Sequence, residues 1–116
     1  MMFTTKKKKI KTYLEQKEES DYSTFDLLLF DYLDGSLKEY LVSIGIKKPD
    51  IYIDWPDNYK CIGIQGRYNE YFLELQIYPD EFSIAFDTDE PDDDTTYPLE
   101  SKEQLYKLLS STIKSL

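Results

Sequence analysis

The segment YFLELQIYPDEFSIAFD, residues 71–87, decides the fold because apolar side chains recur at every second position on both sides of one turn. Alternation of this period is typical of β-strands with one buried face, and Pro79-Asp80 is typical of a turn between two strands. The segment therefore predicts an antiparallel hairpin. The same alternation occurs around Ile51–Ile53 and Ile62–Ile64. We therefore predict a four-stranded antiparallel meander within residues 50–87.

Helical periodicity flanks the predicted sheet. Apolar residues three and four positions apart predict one helix that ends near Glu19, a second over Thr24–Leu33 and a third from Ser36 to Gly45. A C-terminal helix is predicted within residues 101–116, and Ser36 and Ser101 both fit the capping-box pattern at helix starts. The chain is thus predicted to be a single α+β domain over residues 1–116. Residues 1–45 are mainly helical in this prediction, and the helices pack on the apolar face of the sheet.

The composition excludes several classes of chemistry. The chain has 116 residues, no histidine and one cysteine, so catalysis by Ser-His-Asp or Cys-His and zinc sites built on histidine or several cysteines are ruled out. One cysteine is also atypical of a disulfide-rich secreted module. No apolar run reaches the ~18 residues of a membrane-spanning helix, and the first residues lack the apolar core of a signal peptide. We expect a cytoplasmic protein that is not an enzyme, with no catalytic residue, no cofactor and no metal site.

The charge is strongly and unevenly negative. The formal net charge is −9, although residues 1–20 hold six lysines against three glutamates. Nine carboxylates and no basic residue lie between Asp80 and Glu100. A negative field of this strength disfavours nucleic acids and anionic membranes as partners, and it favours a basic protein.

Two sets of residues are candidate partner-binding positions. Tyrosine, of which the chain has eleven, provides a stiff contact surface with a polar end and is enriched at interfaces. The less apolar face of the predicted sheet offers Tyr52, Asp54 and Tyr78. The acidic segment after the sheet offers the second set, Asp87, Asp89, Glu90, Asp92, Asp93 and Asp94.

The acidic segment has two alternative interpretations. It could be a solvated loop that only keeps the protein soluble, or it could bind a cation irregularly. An EF-hand is not indicated, because Pro91 and Pro98 occupy the fifth and twelfth positions counted from Asp87.

A phosphatase signature is the strongest competing motif. Cys61 and Arg67 satisfy Cys-x5-Arg, and Trp55-Pro56-Asp57 matches the acid loop of protein tyrosine phosphatases. In those enzymes the cysteine opens a phosphate-binding loop at a helix N-terminus, where its pKa falls. Here Cys61 lies in alternating strand sequence, so we expect an ordinary strand residue.

The segments Phe82–Asp87, Asp89–Pro91 and Tyr97–Ser101, in a small acidic tyrosine-rich α+β chain, resemble the immunity proteins of bacterial polymorphic-toxin and contact-dependent growth-inhibition systems. The resemblance implies a protein that binds its cognate toxin domain, such as a basic nuclease, and blocks the active site. The alternative is a phage-type acidic inhibitor or DNA mimic. A homodimer formed through an edge strand is left open.

Overall fold

The computed structural model describes residues 2–54, 60–86 and 95–115. Over these residues the fold is α+β, with four helices, one short 3-10 helix and a five-stranded antiparallel sheet. The elements in chain order are α1 (Met2–Glu15), the 3-10 helix (Glu19–Asp21), α2 (Thr24–Asp34), α3 (Ser36–Ser43), β1 (Lys47–Asp54), β2 (Cys61–Tyr68), β3 (Tyr71–Ile77), β4 (Glu81–Phe86), β5 (Thr95–Pro98) and α4 (Lys102–Lys114).

The sheet is a meander in the order β1-β2-β3-β4-β5, so the antiparallel prediction is confirmed but the predicted number of strands is wrong. The fifth strand pairs with β4 through Phe82 and Tyr97. Its four residues contain no apolar alternation, and their pairing with β4 makes this extended segment a strand of the sheet. The sheet also begins at Lys47 rather than at residue 50, because a register shift between Lys47 and Asp50 extends β1 past the alternating part.

One face of the sheet and the buried sides of the helices form a single core cluster. The buried strand residues are Ile53, Ile62, Ile64, Leu73, Leu75, Ile77, Phe82 and Ile84. The buried helix residues are Ile10, Leu14, Phe25, Leu28, Leu29, Leu37, Leu41, Leu105, Leu109 and Ile113. Each such side chain contributes about 1.5–3 kcal/mol when it is fully buried. This core fixes which face of the sheet is left for other contacts.

The helix boundaries correct three details of the prediction. The first helix ends at Glu15, and Glu19 belongs to the 3-10 helix instead. The predicted capping box at Ser36 is wrong, because α3 is preceded by Gly35 in the left-handed conformation and has no side-chain cap. At α4, Ser101 accepts a hydrogen bond from the Gln104 amide at 3.0 Å, but the Gln104 side chain does not return one to the Ser101 backbone.

The edge strands are poorly suited to pair with another strand. β1 contains Pro49 and the register shift, and β5 ends with Pro98. A proline cannot donate a hydrogen bond to a neighbouring strand, and a bulge twists the edge away. This geometry disfavours a homodimer formed by edge pairing.

The helices are short for a bilayer. Among the residues that the structure describes, no helix has both the length and the apolar composition needed to span a membrane.

Candidate functional site: the open sheet face

The face of the sheet opposite the core is mixed in character, and we call it the open sheet face. Most of its side chains are exposed or half-buried. By strand register it includes Asp50, Tyr52, Asp54, Cys61, Gly63, Gln65, Arg67, Phe72, Glu74, Gln76, Ser83, Ala85 and Thr96. Tyrosine, amide and carboxylate groups therefore share one broad surface.

Tyr52 belongs to the edge strand β1, and its ring lies over β2 on this face. It is directly opposite Gly63 in the neighbouring strand, and its ring occupies the space that a β-carbon of Gly63 would need. The missing side chain of Gly63 thus leaves room for the ring to pack against the strand, and Tyr52 is still 40% exposed. An exposed aromatic ring held in one position is the kind of group that dominates binding at protein interfaces.

A row of hydrogen-bonded side chains runs along β3 beside Tyr52. The Tyr78 hydroxyl donates to Oε1 of Gln76 at 3.2 Å, and Nε2 of Gln76 donates to Oε1 of Glu74 at 3.3 Å. These bonds hold three polar side chains in fixed relative positions. Prior ordering of this kind lowers the entropy cost of binding.

Cys61 lies at the end of the face, opposite Asp54. It is 6% exposed, and burial raises the pKa of its thiol; the nearby Asp54 carboxylate raises it further, whereas a hydrogen bond with Tyr78 acts in the opposite direction. A buried thiol with a raised pKa is a weak nucleophile at neutral pH.

The phosphatase motif does not form a phosphate-binding loop. Cys61 and Arg67 both lie in β2, as expected from the alternation around them. Five residues of extended strand lie between them, so their α-carbons are roughly 20 Å apart. A single phosphate cannot bridge that distance.

The predicted binding residues fall into two groups. Tyr52, Asp54 and Tyr78 are brought to the same face, with Tyr78 bonded to Gln76 and Asp54 opposite Cys61. The acidic set lies outside the described residues, and so do the acid-loop tripeptide Trp55-Pro56-Asp57 and the cation alternative. The acidic set consists of Asp87, Asp89, Glu90, Asp92, Asp93 and Asp94.

The sequence did not predict that the Tyr52 ring packs over Gly63, or that Gln76 links Glu74 and Tyr78 by hydrogen bonds. The only sequence signal was a glycine within an otherwise good strand, which often marks close approach of another group. Which group approaches depends on the register, because Tyr52 is adjacent to Gly63 only after β1 and β2 have paired.

The most deeply buried carboxylate lies on the helical side and is structural. Asp26 is 1% exposed and accepts hydrogen bonds from the Tyr13 hydroxyl at 3.0 Å, Nζ of Lys17 at 2.8 Å and the Ser23 amide at 3.1 Å. Burial alone would raise its pKa, but these bonds together lower it. Asp26 also completes a capping box with Ser23 at the start of α2. Its bonding capacity is thus used within the fold.

A second polar cluster joins α2, α3 and α4. The Tyr106 hydroxyl donates to Asp31 at 2.8 Å, and Lys102 pairs with the same carboxylate at 3.2 Å. The Tyr40 ring stacks on Tyr106, and its hydroxyl donates to the Tyr106 carbonyl at 2.8 Å. Burial and the bond to Asp31 raise the pKa of Tyr106 strongly. This cluster ties the helices together.

Neither cluster provides an obvious catalytic or metal centre. Within the described ranges, every buried side-chain nitrogen and oxygen has a hydrogen-bond partner, and no group of three or more Cys, Asp and Glu side chains is placed to hold a metal ion. No family model, curated protein or solved structure matches the chain.

Proposed function

We propose that this chain is a binding protein that neutralises a cognate bacterial toxin domain by covering its active site. The open sheet face is the binding surface in this proposal, and the partner is a basic protein such as a nuclease. The observation that carries the proposal is the exposed ring of Tyr52, which Gly63 holds in place on a face that also carries ordered polar side chains.

The chemistry around Tyr52 supports a protein partner over a small ligand. The ring is large, partly apolar and held in place, and the row Glu74–Gln76–Tyr78 adds acceptors and donors in fixed positions. Interfaces commonly combine a central aromatic group with a polar surround of this kind.

The charge supports a basic partner. Asp50 and Asp54 flank Tyr52 on β1, and both are exposed. Together with the net charge of −9 they add to a field that attracts a basic surface. Complementary fields raise association rates by orders of magnitude, which suits an inhibitor that must reach a toxin before it acts.

The DNA-mimic alternative has less support on this face. A mimic would present carboxylates in a ladder spaced like phosphates, about 3.4 Å apart along each strand. Here the carboxylates of Asp50, Asp54 and Glu74 alternate with Tyr52, Gln76 and Phe72. The mixture favours recognition of a protein surface with both apolar and basic groups.

Coexpression with the toxin domain encoded in an adjacent reading frame tests the proposal. The wild-type chain should restore growth and bind the purified domain. Glu74→Lys, which reverses a charge on the open sheet face, should weaken binding about tenfold or more. Glu18→Lys is the matched control, because Glu18 is exposed between α1 and α2 on the helical side.

Two results would contradict the proposal at different levels. If the wild-type chain leaves the toxin domain active and unbound, toxin neutralisation is wrong. If the wild-type chain protects but Glu74→Lys and Glu18→Lys bind equally well, the function holds and the open sheet face is not the surface that provides it.

A further inference from the structure

A pocket of about 430 Å³ lies at one end of the open sheet face. Its volume is within the range of small-molecule sites. Three cations and one carboxylate line it, together with two amide side chains and an aromatic ring: Lys47, Lys48, Arg67, Asp50, Gln65, Asn69 and Phe72. A locally positive pocket on a chain of net charge −9 is unexpected, so its cations need an explanation.

Two of the cations are on residues that lie opposite each other in the sheet. Lys47 and Arg67 form a cross-strand pair between β1 and β2. Like charges that face each other in a sheet destabilise it. In the described part of the chain, ion pairs occupy Lys17 and Lys102, and none is formed by Lys47, Lys48 or Arg67. Although Asp50 lines the same pocket, no ion pair among the described residues offsets this repulsion.

The third cation, Lys48, has an unusual backbone conformation. Lys48 has φ of 50°, a left-handed conformation that costs free energy for a side chain with a β-carbon. It lies within the register shift between Lys47 and Asp50, which brings an extra residue to the rim of the pocket. Glycine would adopt this backbone without strain. A lysine in this strained conformation therefore indicates that its positive charge has a function.

We propose that this pocket binds a small, multiply charged oxyanion, a phosphate ester or a polycarboxylate, through Lys47, Lys48 and Arg67. The oxyanion relieves the repulsion between Lys47 and Arg67, and the guanidinium provides paired donors that match two oxygens. Gln65 and Asn69 offer further donors, while Phe72 forms an apolar wall. The lining has three cations and one carboxylate, Asp50, so its net charge is +2. This inference does not depend on toxin binding.

Amide chemical shifts measured by NMR test the proposal. The full chain is titrated separately with inorganic phosphate and with citrate, at constant ionic strength set by sodium chloride. Either ligand should give saturable shifts centred on Lys48, Arg67 and Asn69. Saturation by phosphate alone assigns a phosphate ester, and saturation by citrate alone assigns a polycarboxylate. Shifts that grow linearly with both, or that spread over the exposed lysines of the helices, would overturn the proposal.

Three variants separate binding from folding. Arg67→Gln should weaken the affinity about tenfold, since it removes a charged hydrogen-bond donor. Lys107→Gln, the matched control on the exposed side of α4, should bind like the wild type. Lys48→Gly should be at least as stable as the wild type, because the strain is relieved, yet it should also bind more weakly. Equal affinity in Arg67→Gln and Lys107→Gln, or full affinity in Lys48→Gly, would contradict the assigned roles.

Discussion

Tyr52 and Gly63 are fitted to each other: the ring of Tyr52 fills the space above Gly63, and no side chain larger than hydrogen can occupy position 63 while the ring stays in place. The pair lies in the middle of the β1–β2 ladder. A glycine that would weaken an ordinary strand is compensated here by an aromatic neighbour across the strand.

Gly63→Ala should therefore destabilise the protein by about 1–3 kcal/mol, the usual cost of overpacking. The added methyl group must displace the Tyr52 ring. In the double variant Gly63→Ala/Tyr52→Ala the clash is absent, so the two costs should not add. Denaturant unfolding of both single variants and the double variant measures this coupling. Additive costs would show that the ring and the glycine are independent.

Asp26→Ala should cost about 2–4 kcal/mol, because it removes the α2 cap and leaves Tyr13 and Lys17 without their shared acceptor. The value is below that of a fully buried pair because Lys17 is about a third exposed. Chemical unfolding at pH 7 measures it. Lys107→Ala on α4 is a suitable exposed control and should change stability by less than about 0.5 kcal/mol.

We expect the free energy of unfolding to fall in acid because of the same carboxyl group, that of Asp26. Burial opposes ionisation of Asp26, but its hydrogen bonds lower the folded-state pKa below the ordinary 3.8. Its contribution is therefore complete above the unfolded-state pKa and disappears as the pH falls through the lower, folded-state value. Unfolding free energies of the wild type and Asp26→Asn, measured from pH 7 to pH 2, should converge below pH ~4. A constant gap across this range would contradict the shift.

We expect the free energy of unfolding to fall at high pH because of Tyr106. Burial and the hydrogen bond to Asp31 raise its pKa above the ordinary 10.0. A raised folded-state pKa gives stability that is present below the unfolded-state pKa and is lost as the pH rises towards the folded-state value. Tyr106→Phe should cost about 1–2 kcal/mol at pH 7, and less above pH ~10. Because burial also raises the pKa of Tyr32 and Tyr40, the difference between variant and wild type is the informative quantity.

Cys61 should be inert in the folded protein. Its burial and raised pKa predict very slow alkylation by iodoacetamide near pH 6 and no hydrolysis of an aryl phosphate. Alkylation should become fast once denaturant unfolds the chain. Rapid reaction of the native thiol together with phosphate release would restore the phosphatase interpretation.

The acidic segment predicts a kinetic effect that rests on the proposed function. Replacing Asp92, Asp93 and Asp94 by asparagine together should slow association with the toxin domain, and most strongly at low salt. Stopped-flow or surface-plasmon measurements over a range of ionic strength test this. Association rates that match the wild type at every salt concentration would remove these residues from the binding surface.

The sequence by itself determined the elements whose signals are local. The alternation in residues 71–87 and the spacing of apolar residues over Thr24–Leu33 each report a periodicity within a few neighbouring positions. In the structure, the apolar faces that these periodicities predict are buried together in one core. The strand position of Cys61 could also be predicted, because the residues around it alternate.

Tertiary structure alone decided what depends on partners far away in the chain. The residues of β5 have no alternation of their own and become a strand by pairing with β4. Tyr52 meets Gly63, and Lys47 faces Arg67, only in the register that the core imposes. A shift of one residue would send every side chain of a strand to the opposite face. The open sheet face and its cationic pocket therefore exist because burial of the apolar face leaves the polar and aromatic residues together on the opposite face.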